Sequence, residues 1–167
     1  DLLAEELRLD WSNEWGRRFQ EDLGRLREWA RGRCALANYE VEGAADTMAA
    51  LYGTAEVMLA AQERPEALAR FAARVTGLLI EFGLWSVEHI GREQPLLGGE
   101  ATGWRVWMPP RAMCTAEDAT VMYSPAFYRR HIQPHQSRLV AAFGANLLEV
   151  HHEGEHQIAH LGDLPGA

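Results

Sequence analysis

Apolar residues recur every three or four positions from Leu3 through Leu7, Trp11, Trp15, Phe19, Leu23 and Leu26 to Ala30, the spacing that lines one face of a helix. This stripe predicts one or two helices, ended by Gly32. The run from Cys34 to Val41 (CALANYEV), bounded by arginines before and Gly43 after, fits a buried strand. Helical spacing returns from Asp46 through Met48, Leu51, Met58 and Leu59, with Gly53 as a break. Pro65 suits the first turn of the next helix, whose stripe of Leu68, Phe71, Val75, Leu78, Leu79 and Phe82 forms one face while Arg70, Arg74 and Glu81 mostly fall elsewhere.

Beyond that helix, Gln94 to Gly103 is rich in Gly and Pro and reads as a loop. The β-favouring run Trp104–Met108 follows and stops at Pro109-Pro110, which predicts a second strand. Ser124 before Pro125 is a helix start, because the serine oxygen can accept a free amide and proline needs none. Gly144 marks that helix's end, and Pro134 inside it predicts a kink or a split. Asn146–Val150 reads as a third strand and Gln157–Leu161 as a short helix before the turn at 163–166.

Alternating strands and helices indicate parallel α/β architecture, either doubly wound or a barrel. No strand runs into the Gly-rich phosphate fingerprint of a dinucleotide fold, which tilts the reading toward a barrel. The three strands ending near Val41, Met108 and Val150 are expected to be parallel neighbours, with helices from Pro65 and Pro125 packed against them.

Composition narrows the chemistry. The chain has 167 residues, 47% of them hydrophobic, and a formal charge of -8, a single domain able to bury a core. Negative charge and scattered arginines argue against a nucleic-acid partner. All sixteen basic residues are arginine, which excludes a Schiff-base lysine, a pyridoxal phosphate anchor or a P-loop lysine in this segment. Cys34 and Cys114 stand alone, so neither a disulfide framework nor a cysteine-rich zinc site is expected. The acidic, amphipathic start and the lack of a long apolar run lead to the expectation of no membrane partner and a cytoplasmic location.

Three segments resemble, in order, the uroporphyrinogen decarboxylase family: EGAADTMAALYGTAEVMLAAQERPEAL, TAEDATVMYSPAFYRRHIQPH and LLEVHHEGEHQIAHLGDLPG. The resemblance covers about two thirds of the chain. It implies an eight-stranded (β/α) barrel of about 250 residues, of which this chain would be an incomplete, single-domain part spanning 1–167. It further implies a cofactor-independent decarboxylase acting on the acetate arms of a porphyrinogen, or alternatively a zinc-dependent methyltransferase that takes methyl from a corrinoid. The expected partner is thus a tetrapyrrole or corrinoid-type small molecule, with a homo-oligomer or a missing barrel half supplying the rest. An inactive fragment serving as an interaction module is the other alternative.

In such barrels chemistry sits where strands end. The catalytic candidates are Asp118, Glu117 and His151, with Asp118 foremost because it falls where the family places a substrate-contacting residue. Glu117-Asp118 could equally cap a turn. Candidate substrate-binding residues are Arg111, Tyr39 and Glu42, although an arginine can simply salt-bridge and a carboxylate at a strand end is usually solvated. In the methyltransferase branch His151 and Glu153 would hold zinc, Glu153 standing where that branch has cysteine. Residues 152–156 also match H-E-x-x-H, the zincin pattern, which requires a helix so that His152 and His156 share a face. The preceding LLEV reads as strand and Gly154 disfavours that helix by about 1 kcal/mol.

Overall fold

The computed structural model describes residues 2–90 and 99–164, with backbone alone for Leu2, Glu100, His152 and Glu153. Its elements are α1 (Glu14–Ala30), β1 (Glu40–Glu42), α2 (Ala44–Tyr52), α3 (Thr54–Glu63), α4 (Pro65–Ile90), β2 (Glu100–Ala101), β3 (Trp107–Met108), β4 (Ala112–Ala116), α5 (Pro125–His131), α6 (Gln133–Ala141), β5 (Ala145–Glu149) and α7 (Ile158–Leu161). Two 3-10 helices, Asp118–Met122 and His152–Gln157, follow β4 and β5. The architecture is mixed α/β and mostly helical, around a three-stranded parallel sheet of order β1-β4-β5.

The helix boundaries have local causes. Asn13 caps α1 by accepting from the Gly16 amide at 2.7 Å, and Gly32 beyond it takes φ +70°, a conformation nearly free of cost only for glycine. The first helix therefore begins at Glu14, and the apolar stripe before it continues through a 3-10 turn and irregular chain. Gly53, at φ +98°, separates α2 from α3. Ser124 caps α5 by accepting from the Phe127 amide at 3.2 Å, with Pro125 in the first turn. The helix around Pro134 is split, not kinked: α5 ends at His131 and α6 begins at Gln133, so that proline sits in a first turn where its missing donor costs nothing.

Two strand expectations require correction. The run Trp104–Met108 does not join the parallel sheet; Trp107–Met108 pairs antiparallel with Glu100–Ala101 in a separate ribbon. The central strand is instead Ala112–Ala116 (AMCTA), every residue of it buried. A strand covered on both faces needs small or apolar side chains at consecutive positions, which is what this stretch offers. The first strand is also shorter than Cys34–Val41, comprising Glu40–Glu42, with Ala37 making only an isolated bridge to Ala101. Of the loop expected over 94–103, residues 94–98 lie outside the described residues and Glu100–Ala101 forms β2 instead; the end of the turn at 165–166 also lies outside the described residues.

Packing fixes which end of the sheet opens. Val41, Met113, Val87, Leu139 and Phe143 form one buried cluster where α4 and α6 meet the sheet. A Cβ on Gly83 would come within 2.6 Å of Phe143, so the glycine permits this approach. The larger core joins α2, α3, α4 and α5 through Met48, Val57, Leu68, Phe71, Tyr128 and Ile132. This larger core reaches the carboxyl ends of the strands, taking in Ala44 and Ala45 after β1, Ala119 after β4 and Val150 after β5. Among the described residues no helix is long and apolar enough to cross a membrane.

Candidate functional site

Parallel pairing sets Glu42 beside Ala116 and Ala116 beside Glu149. The residues that follow, Gly43, Glu117 and Val150, therefore leave the sheet at one edge. Asp118 begins the 3-10 helix after β4, and His151 precedes the one after β5. The two converge as expected: His151 Nε2 lies 3.4 Å from Asp118 Oδ2. It also lies 3.3 Å from Glu149 Oε1, a residue the sequence reading left out. Glu149 was legible in principle, since residues two apart on extended chain share a face with His151. The three donor atoms all fall within 4.8 Å of one another.

Carboxylates dominate the surroundings. Burial, and next the Asp118 carboxylate, hold the Glu149 carboxyl above its ordinary range; His151 opposes this and Glu40 adds to it. Burial pushes the Cys114 thiol in β4 up to about 12, with Glu40 and Glu149 contributing, so this cysteine is no nucleophile at neutral pH. Glu42 lies at the same sheet end, exposed, and acts electrostatically on Asp46.

Glu117 faces the opposite way from Asp118. It is 1% exposed, and its carboxyl lies against the first turn of α2, approached by the Ala44 and Ala45 amides without either oxygen reaching full hydrogen-bond geometry. Burial, and then Asp46, raise its pKa well above the ordinary carboxylate range. Asp46 returns the contact by accepting from the Ala119 amide at 2.8 Å, thereby tying α2 to the 3-10 helix after β4. Glu117 is thus a buried strut beneath the open site and does not reach its surface.

Other candidates sit elsewhere. Arg111 precedes β4 and Tyr39 precedes β1, which places both at the amino ends of their strands, away from Asp118. Tyr39 packs on Phe19 at 5.1 Å between ring centroids, within an aromatic group that includes Phe82. The side chain of Glu153 lies outside the described side chains. His152–Gln157 is a 3-10 helix, in which residues three apart eclipse and residues four apart diverge. The zincin arrangement of His152 with His156 therefore has no helical face to form on, and His156 Nε2 instead approaches the Tyr123 carbonyl at 3.3 Å.

The donor set can be tested against a metal ion. Zinc–ligand bonds of about 2.0–2.2 Å place tetrahedral ligands about 3.4 Å apart, and both imidazole-to-carboxylate separations match that edge. One imidazole with two carboxylates suits a borderline dication such as zinc, and the two negative charges balance it. No family model matches the chain, and no curated protein or solved structure matches it either.

Proposed function

We propose that the chain is part of a uroporphyrinogen decarboxylase-like (β/α) barrel of the metal-dependent, methyl-transferring kind, with Asp118, Glu149 and His151 as the zinc ligands. The observation that carries this reading is the pair of 3.3 and 3.4 Å separations from His151 Nε2 to two carboxylates at the carboxyl ends of adjacent parallel strands. When bound, zinc supplies Lewis acidity that keeps a thiol substrate deprotonated at neutral pH. The protein's own part is geometric and electrostatic. β4 and β5 hold the carboxylates at fixed spacing, and the half-exposed His151 leaves the outer side open to a substrate.

Porphyrinogen decarboxylation ranks below this reading. A substrate bearing several acetate groups needs cations at the mouth, whereas the groups acting on Glu149 are Asp118, Glu40 and His151. Arg111, the candidate for binding substrate carboxylates, lies toward the other end of β4.

Isothermal titration with zinc tests the proposal directly. The wild-type protein is expected to bind one ion per chain, and His151→Ala is expected to weaken binding by about a hundredfold or more, beyond the usual effect of removing an outer partner. His156→Ala is expected to retain affinity. Loss of binding in His156→Ala, or wild-type protein that takes up no zinc, would overturn the assignment. Because carboxylate and imidazole ligands must be deprotonated, affinity is expected to fall as pH drops from 7 to 5.

A further inference from the structure

The two strand ends that carry Asp118 and His151 each run into a 3-10 helix, Asp118–Met122 after β4 and His152–Gln157 after β5. Such helices hold their shape poorly alone, because their hydrogen bonds are less well aligned than those of an α-helix. The first is fixed from below: Asp46 accepts from the Ala119 amide at 2.8 Å, and the Thr120 hydroxyl donates to the Glu117 carbonyl at 2.6 Å. The second starts with a closed turn, in which the His151 carbonyl accepts from the Gly154 amide at 2.8 Å. None of these bonds joins one segment to the other. The 3.4 Å approach of His151 to Asp118 nevertheless depends on the spacing between them.

Gln157 supplies that join. Its side chain is fully buried, and its amide nitrogen donates to the Thr120 carbonyl at 3.3 Å and to the Tyr123 carbonyl at 3.1 Å. Two carbonyls facing one amide group fix its orientation, since only the nitrogen carries hydrogens and it carries two. The amide oxygen is then left buried with no hydrogen-bond partner among the described residues. Burying that oxygen is unfavourable, so an apolar side chain of the same length would serve packing better; the amide is needed for the two carbonyls. His156 Nε2 also reaches the Tyr123 carbonyl, at 3.3 Å, and loss of His156 would leave both carbonyls held by Gln157.

We infer that Gln157 is a positioning residue for the pair Asp118 and His151: it ties the segment after β5 to the segment after β4 and so sets the spacing at which both side chains reach one ion. The ion rests on the metal reading above; the spacing is a property of the metal-free fold. Gln157 acts through the backbone. It grips the first 3-10 helix two residues beyond Asp118, at Thr120, and its own segment begins at His151, so the two ligands lie on the two arms that it holds together. Donors that orient a ligand from behind affect metal affinity about tenfold to a hundredfold.

Nuclear magnetic resonance of the metal-free chain tests the tie without zinc. In the wild type the Gln157 side-chain amide protons are expected to exchange with solvent about a hundredfold more slowly than those of the exposed Gln20, and the His151 ring is expected to show a nuclear Overhauser contact to the Asp118 methylene. Gln157→Met, which keeps the side-chain length and removes both donors, is expected to lose that contact. Titration with zinc reads the consequence. Gln157→Met is expected to weaken binding about tenfold or more, but by less than about twofold in an Asp118→Asn background, where there is no longer a carboxylate to position. A merely structural loss would weaken both backgrounds equally, and that result would overturn the inference. So would fast exchange of the Gln157 amide in the wild type, which needs no variant to fold, or a His151 contact that survives Gln157→Met. A wild type that takes up no zinc, with the contact still lost in Gln157→Met, would remove the metal reading and leave the positioning role standing.

Discussion

Glu117 and Asp118 are neighbours in sequence with nearly the same chemistry, yet they occupy opposite environments. The Glu117 carboxyl is sealed under the first turn of α2, where burial favours its neutral form. Asp118 is partly exposed, with Oδ1 buried and Oδ2 3.4 Å from His151. The difference follows from the end of β4: the strand stops at Ala116, and the chain then turns, with Glu117 at φ -141°, ψ 58° and Asp118 already in the 3-10 helix, so the two side chains leave the backbone in different directions. A carboxylate directed outward is available to a ligand. One directed inward becomes part of the structure, and its energetic effect appears as stability and not as affinity.

The strongest test of that contrast is steric. A Cβ placed on Gly43 would lie 1.9 Å from Glu117 Oε1 and 2.0 Å from its Cδ. Gly43→Ala is therefore expected to cost about 1–3 kcal/mol in denaturant unfolding, because the buried carboxyl has no free volume to move into. Shortening the obstacle with Glu117→Ala in the same chain should recover part of the loss, since contacting residues couple. Equal losses that simply add would break the claim that Glu117 fills the space above Gly43.

A smaller effect concerns pH in the metal-free protein. Asp46 has an ordinary pKa of 3.8, raised in the fold to about 6, chiefly by burial and then by Asp118 and Glu42 against the opposing Ala119 hydrogen bond. Between those values the folded state holds a proton that the unfolded chain has released. The stability contributed by neutral Asp46 is thus complete below about 3.8 and is lost as pH rises through about 6. Because the group is only partly buried, solvent screening reduces the effect to about 1 kcal/mol. Asp46→Asn retains an oxygen for the Ala119 amide and is expected to flatten this slope, as read by urea unfolding at pH 4, 5, 6 and 7. An unchanged slope would point to another titrating group.

The smallest expected change in stability comes from the outward carboxylate. Asp118→Asn should alter unfolding free energy by no more than about 0.5 kcal/mol while reducing zinc affinity in the same titration used for His151→Ala. A large loss of stability with unchanged zinc affinity would reverse the roles assigned to the two neighbours.

Much of the helical framework was legible because its signals are local. Ser124-Pro125, Gly53 and Pro65 act through backbone groups within a few residues, and the stripe from Leu68 to Phe82 is carried by one long helix. The parallel sheet was less legible. Trp104–Met108 has stronger β-forming side chains than Ala112–Ala116, yet the latter is central, because propensity describes a half-exposed surface and not a strand covered on both faces. The site divides in the same way. His151 stood out as a polar residue following a strand and Asp118 through the family resemblance, while Glu149 read as an ordinary residue within a strand.

Local signals were enough for most helix boundaries, for the mixed α/β class and for the strand before His151, but not for the start of α1 or for the strand that precedes Asp118. Those properties depend on backbone donors, proline and glycine geometry and apolar spacing, all of which act over one or two turns. Tertiary structure alone decided that β4 lies between β1 and β5, that Glu149 completes the group around His151, and that Glu117 points inward while Asp118 points out. These outcomes depend on the register between strands far apart in the chain and on the helices packed against them, and the energy that selects a register comes from contacts that no local segment contains.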